Sequence, residues 1–214
     1  LSSADMRTLS RRTLLGALAA PSVLRSAART HAQTAAEAQP ARPLTSDAVT
    51  HDWTTFLGPT YNAVSSETHL SRAFPPALVW EMAKGTGYTS PAIAGTRLVF
   101  LHRIDDQEIV ECRHAESGQV HWEYRYPTSY RDRYGYNNGP RCAPLITKDR
   151  IYTYGAEGVL ICLDFATGKQ LWRRDTHKDF TVIPNFFGVG STPVLEDGLL
   201  LTMVGGQPNS GMVA

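Results

Sequence analysis

Long apolar runs are largely missing from this 214-residue sequence. The stretch from Leu14 to Leu24 has only eleven residues and contains Pro21, against about 20 apolar residues for a bilayer crossing, so no integral membrane span is expected. Charge of one sign is missing too: a formal net charge of +1 lacks the basic footprint that phosphate backbones require, which argues against nucleic acid as a partner. Five arginines (Arg7, Arg11, Arg12, Arg25, Arg29) and one acid (Asp5) fall in the first 36 residues, leaving 16 basic and 19 acidic residues, a charge near −3, in the rest. Cysteine is scarce: Cys112, Cys142 and Cys162 stand far apart, with no Cys-x-x-Cys-His haem site, and three free thiols are expected. The seven histidines form no His-Glu-x-x-His or His-x-His pair, and no loop alternates Asp and Asn at calcium-loop spacing, so no metal site is expected. There is no Gly-x-Ser-x-Gly elbow or phosphate-cradling glycine loop; Gly205-Gly206 reads as a turn ending a strand, and Asp105-Asp106 as a solvated turn between two strands.

The sequence does have 17 Gly, 13 Pro, 9 Tyr and 4 Trp, a composition tilted toward strands and turns. Its first segment reads as an address. Ser10-Arg11-Arg12-Thr13-Leu14-Leu15-Gly16 sets paired arginines directly before a short apolar run, and small residues (Ser26-Ala27-Ala28, Thr30-His31-Ala32) follow at cleavage distance. It resembles a twin-arginine export signal, with Leu14 where Phe is common and Gly16 where Lys is common. Residues 1–36 are therefore expected to be a signal with a few preceding residues, making the protein periplasmic or otherwise extracytoplasmic. Residues 37–50, rich in Ala, Thr and Pro without periodicity, read as a disordered linker.

The rest of the chain repeats. Cys112 to Trp122 and Cys162 to Trp172 share Cys, Ser/Thr, Gly and Trp in register at an offset of 50, and Ser90-Pro91, Ala143-Pro144 and Thr192-Pro193 mark the same unit at offsets of 53 and 49. Within one period, Pro144–Thr147, Arg150–Tyr154, Val159–Asp164 and Gln170–Arg174 have strand composition, separated by Lys148-Asp149, Gly155–Gly158 and Ala166–Lys169 as turns. Four antiparallel strands at this spacing are the signature of a propeller blade. The fold class expected is all-β, a β-propeller of four-stranded antiparallel blades. The division expected is a lead segment over 51–89, blades over 90–125 and 142–175, and a partial blade over 191–214. At about 50 residues per period this makes about three blades, whereas closed propellers have at least four, so an incomplete fragment is expected.

The window Ala-x-Asp-x-x-Thr-Gly-Lys-x-x-Trp recurs in pyrroloquinoline-quinone (PQQ) type propellers, and Cys162–Trp172 resembles it with Cys for Ala; Cys112–Trp122 is a weaker copy, with His114 for Asp and Gln119 for Lys. Asp52-Trp53-Thr54-Thr55-Phe56-Leu57-Gly58-Pro59 and Leu78-Val79-Trp80-Glu81 are similar to the lead of PQQ-like repeat proteins. In that family the repeated Trp docks on a Gly-containing turn of the adjacent blade, so Trp80, Trp122 and Trp172, with Gly118 and Gly168, are expected to be structural: the ring covers a flat peptide, and a Cβ on the glycine would hold it away. The resemblance also suggests PQQ with calcium, but the vicinal Cys pair and calcium ligands that such dehydrogenases carry are not in this stretch.

Two connections are long for a propeller, Tyr126–Arg141 and His177–Ser191, and long loops on a rigid scaffold are where binding concentrates. The first holds Tyr126, Tyr130, Tyr134 and Tyr136 with Arg131, Arg133 and Arg141, a mix enriched at recognition surfaces; equally, its Arg and Asp132 can pair with each other in an ordered surface loop. Tyr130, Arg131, Asp132, Arg133, Tyr134 and Arg141 form the candidate recognition loop, and Lys178-Asp179-Phe180 with Pro184–Phe187 a weaker version on the same face. The expected function is an exported, cofactor-free, non-catalytic binding or assembly scaffold with a protein or small-molecule partner on the loop face and an unspecified oligomeric state. The alternatives are a periplasmic PQQ-dependent oxidoreductase whose ligands lie in other blades, and a propeller module of a larger enzyme or sensor.

Overall fold

The computed structural model describes residues 47–68, 70, 72–182 and 187–214. The export signal, most of the linker, and Pro184, Asn185 and Phe186 of the second loop lie outside the described residues.

The strands are β1 (Ala92–Ala94), β2 (Arg97–Ile104), β3 (Gln107–His114) and β4 (Val120–Pro127) in a first sheet, and β5 (Leu145–Ile146), β6 (Arg150–Tyr154), β7 (Val159–Asp164) and β8 (Gln170–Asp175) in a second. A third has β9 (Val194–Glu196), β10 (Leu199–Gly206) and β11 (Ser210–Val213). All pairings are antiparallel between sequence neighbours. The described residues thus form two four-stranded blades and one three-stranded blade, not closed into a ring.

The eleven-residue repeat has a structural cause. Cys112 faces Trp122 across β3 and β4, Cys162 faces Trp172 across β7 and β8, and a bulge follows each cysteine. The connecting turns close identically: Gly118 N–H donates to His114 O (2.9 Å) and Gly168 N–H to Asp164 O (2.8 Å). Both glycines have positive φ, +69° and +70°, a region that L side chains avoid. Between the first two blades lies the main core, where Val99, Leu101, Val110, Cys112 and Trp122 meet Ile146, Ile151, Val159, Ile161 and Leu163.

The lead segment threads past the innermost strands. Trp53 exchanges both backbone hydrogen bonds with Ile93 of β1 (2.9 and 2.8 Å), and Thr54 O accepts from Ile146 N–H of β5 (2.8 Å). The inner edges of β1 and β5 therefore do not face open space.

Three local expectations are corrected. Tyr126 and Pro127 belong to β4 rather than to the loop after it. The second long connection opens with a short helix, α1 (Thr176–Phe180), whose N-cap Asp175 accepts from Lys178 N–H at 3.3 Å; an Asp directly before the first helical residue caps the amide three positions on and so starts a helix as readily as a turn. Gly205-Gly206 lies inside β10 at a bulge and the reversal comes later, at 207–209; Gly206 is needed for close approach instead, since a Cβ there would collide with the Phe180 carbonyl of the preceding loop.

Candidate functional site

Both long connections leave from the same end of their blades, and their first residues are tied down in the same way: Thr128 N–H donates to Asp106 O and Thr176 N–H to Gly158 O, each at 3.0 Å. From there the side chains differ.

The loop after β4 is anchored by residues that its own sequence does not reveal. Arg103 on β2 is buried, and its guanidinium donates to the carbonyls of Asp105 (2.6 Å), Tyr130 (2.6 Å) and Asn138 (3.0 Å) and to the Asp106 carboxylate (2.7 Å). On the other side Glu157, in the β6–β7 turn of the next blade, accepts from Thr128 Oγ1 (3.1 Å), Ser129 N–H (2.9 Å) and Ser129 Oγ. Burial works against the Glu157 carboxylate, but the Ser129 and Thr128 donors outweigh it and hold its pKa below the usual range, so it is an anion already spent on the loop.

The six candidate recognition residues divide into two sets. Tyr130 and Asp132 are buried; Arg141 donates to Asp132 Oδ2 (2.7 Å), Gly139 O (2.7 Å) and Asn137 O (2.9 Å), and its guanidinium lies over the Tyr130 ring at 5.3 Å and the Tyr88 ring at 5.8 Å. These three hold the loop together. Arg131, Arg133 and Tyr134 are exposed. Arg131 reaches Asp106 (3.0 Å) and Tyr130 O (3.0 Å), and the Tyr134 ring lies 6.2 Å from that of exposed Tyr136. Asp106, read from sequence as a solvated turn residue, is exposed but paired with both Arg103 and Arg131, whose guanidiniums lower its pKa.

Arg131 and Arg133 form one wall of a cleft of about 620 Å³ whose other walls are Glu157 and Val159, Arg173 and Asp175 of β8, and His177 and Lys178 of α1. The two long connections thus meet at one recess. Arg173, His177 and Glu157 carried no motif; Arg103 was the one legible signal, a cation inside a strand two residues after the apolar run Leu98–Leu101.

The docking residues sit at the opposite end. The Trp80 indole donates to Ala115 O (2.9 Å), and a Cβ at Gly118 would fall 2.8 Å from its ring; Trp122 donates to Phe165 O (3.2 Å), and a Cβ at Gly168 would collide with its ring. Ala115 and Phe165 are themselves 50 residues apart. Trp172 is only half-buried: it packs against the cluster of Leu145, Tyr152 and Cys162, its ring centroid 6.0 Å from that of Tyr152, with no glycine turn beneath it among the described residues.

The described residues do not fit a calcium-bound quinone. Among them no three His, Cys, Asp or Glu side chains stand close enough to hold a metal ion, and the three cysteines are free and separately buried. Burial raises the pKa of all three thiols, Cys162 to about 11, so none is a ready nucleophile. No helix among the described residues is long and apolar enough to cross a membrane.

Sheets of four antiparallel strands, repeating every 50 residues with a tryptophan lying on the next sheet's glycine turn, define a β-propeller repeat protein. Residues 107–207 match the model of the family described as outer membrane protein assembly factor BamB. Among solved structures the chain is similar to quinohemoprotein alcohol dehydrogenase from Comamonas testosteroni, at 20% identity and TM-score 0.47, over 71% of this chain and 23% of that one. It is also similar to a europium-containing methanol dehydrogenase (16% identity, TM-score 0.42, 58% of this chain, 21% of that one) and to BamB from Moraxella catarrhalis (17% identity, TM-score 0.32, 55% and 42%). The chain thus spans about a quarter of the length of the first of these. No curated protein matches it.

Proposed function

We propose that the chain is part of an exported propeller that acts as a non-catalytic binding or assembly scaffold, with its partner on the loop face. The observation that carries this reading is the construction of that face. Buried Arg103, the Arg141–Asp132 pair and Glu157 fix the first long loop from three sides, yet leave Arg133, Tyr134 and Tyr136 exposed at its tip. A preorganised loop that offers guanidinium and aromatic surface loses little entropy on binding. The family description, an outer-membrane assembly factor, supports the same reading, and the paired arginines Arg11-Arg12 support export by the twin-arginine route.

Two measurements test it in the source cell with the full-length protein. A photo-crosslinking residue replacing Tyr136 should give a discrete protein adduct, while the same residue replacing Ser117, at the tryptophan end, should not; equal labelling at both positions, or none at either, defeats the reading. Changing Arg11 and Arg12 to Lys should leave the precursor inside the cell, because the twin-arginine receptor reads the paired arginines; unchanged delivery defeats the export route alone.

A further inference from the structure

The charges of the loop-face cleft do not cancel. Glu157 keeps its negative charge, but its oxygens accept from Thr128 and Ser129, and against it and Asp175 the cleft is lined by Arg131, Arg133, Arg173 and Lys178. Asp175 is taken by Lys178, through its backbone N–H (3.3 Å) and its Nζ (3.1 Å). Arg131 in turn is taken by Asp106 (3.0 Å). Two guanidiniums lining the cleft are in no ion pair with a carboxylate among the described residues: Arg133, which is exposed, and Arg173, which lies over the Tyr126 ring at 5.5 Å. A guanidinium held over a ring keeps N–H donors for an acceptor. This positive recess stands on a chain whose residues beyond 36 carry 16 basic against 19 acidic side chains, so it is a local concentration and not a reflection of overall charge.

We infer that the cleft takes an acidic segment of a protein partner, whose carboxylates pair with Arg133 and Arg173. The inference rests on the scaffold reading above and specifies its partner. Guanidinium forks match carboxylates bidentately. The two come from different elements, a loop and β8, on separate walls of the cleft, which suits carboxylates spaced along a chain better than one compact anion. A vesicle surface is the poorer fit, because it requires protruding cations, and these line a recess.

The experiment uses the full-length protein and a fluorescent Glu-rich peptide of about ten residues, with a Lys-rich peptide as control. Wild type should bind the acidic peptide with an affinity that falls as salt rises. The double variant Arg133→Glu/Arg173→Glu should weaken binding at least ~10-fold, the corresponding Gln variant should lie between, and Arg174→Glu, whose side chain is next along β8 and pairs with Asp179, should bind as wild type does. Thermal melts of all variants show whether each is folded. Absence of peptide binding by wild type overturns the inference, and so does equal binding by the folded double variant. Tighter binding of inorganic phosphate, or of vesicles containing an anionic phospholipid, through the same two arginines also overturns it in favour of that ligand. If the Tyr136 crosslinker captures a partner whose capture survives charge reversal, this inference falls and the scaffold reading stands; if it captures none, the scaffold reading falls with it.

Discussion

Aligned at an offset of 50 residues, β3 of the first blade and β7 of the second keep their cysteine, their bulge and the tryptophan opposite, but three charged positions change character. Glu108, Glu111 and Arg113 of β3 correspond to Gly158, Ile161 and Leu163 in the second blade. The reason lies in what each face covers. Ile161 and Leu163 face the first blade and enter the main core. Glu111 and His102 lie on the first blade's opposite face, against the lead segment, where His102 Nδ1 accepts the Gly85 amide (3.0 Å) and Nε2 lies 3.2 Å from Glu111. An irregular segment brings backbone amides that need acceptors, whereas a neighbouring blade brings apolar side chains. Glu108 points the other way, into the junction, where it accepts from Tyr126 Oη and from the Ala156 amide (3.0 Å). Repeat-wide positions therefore build the blade, and the positions that break the repeat record what a given blade touches.

The largest expected effect lies where the blades agree. Trp122→Ala deletes a buried ring at the junction, together with its bond to Phe165 O, and should cost about 3 to 5 kcal/mol in denaturant unfolding of the full-length protein. Trp172→Ala, at a half-buried ring, should cost less by at least ~1 kcal/mol. Equal losses would mean that Trp172 is as firmly seated as Trp122, and that the difference between the two is not real.

Much of the fold was legible because the repeat carries its own geometry. A glycine at positive φ followed four residues later by a tryptophan fixes turn, bulge and strand together, and β6 and β7 fall at the limits expected from the sequence. The candidate site was legible only in part. Sequence placed the long loop between the blades, but composition could not separate Arg141, Asp132 and Tyr130, which are engaged within the loop, from Arg133, which is exposed. That distinction depends on contacts 27 and 28 residues apart in sequence, Arg103 to Tyr130 and Glu157 to Ser129. The helix α1 was missed because five residues are too few for periodicity to show.

The next effect concerns a residue that only the first blade has. Arg103 corresponds to Ala156 at the blade offset of 53, and the second loop relies instead on a backbone bond from Val189 N–H to Ala156 O (2.9 Å). Arg103→Met keeps the buried stem but removes the guanidinium from the Asn138 carbonyl and leaves the Tyr130 carbonyl only its bond from Arg131, at an expected cost of about 2 to 3 kcal/mol. Amide exchange over 130–138 should rise while exchange in β6 and β7 does not. Arg103→Lys should recover only a fraction, since one ammonium cannot reproduce a fork serving four acceptors. Uniform protection changes across both blades would show that Arg103 supports the sheet rather than the loop.

The smallest effect is a pH dependence confined to the first blade's outer face. Burial, with Lys84, Arg125 and Arg113 adding to it and Glu123 opposing, pushes His102 down to about 4 from 6.5. The unfolded chain takes up the proton as pH falls through 6.5, whereas the folded chain resists until about 4, so stability is lost across that window. Glu111, which faces the same imidazole and whose pKa burial raises, takes up its proton earlier when folded and offsets part of the loss. The net cost between pH 7 and 4.5 should therefore be about 1 to 2 kcal/mol, below the full linkage value. His102→Gln removes the titrating group while keeping a side-chain acceptor for the Gly85 amide, so its stability should fall less than wild type over the same range, and at the lower end the variant should overtake wild type or match it. If both proteins lose stability in parallel, the acid sensitivity belongs to carboxylates shared by both blades and the polar face of the first blade has no role in it.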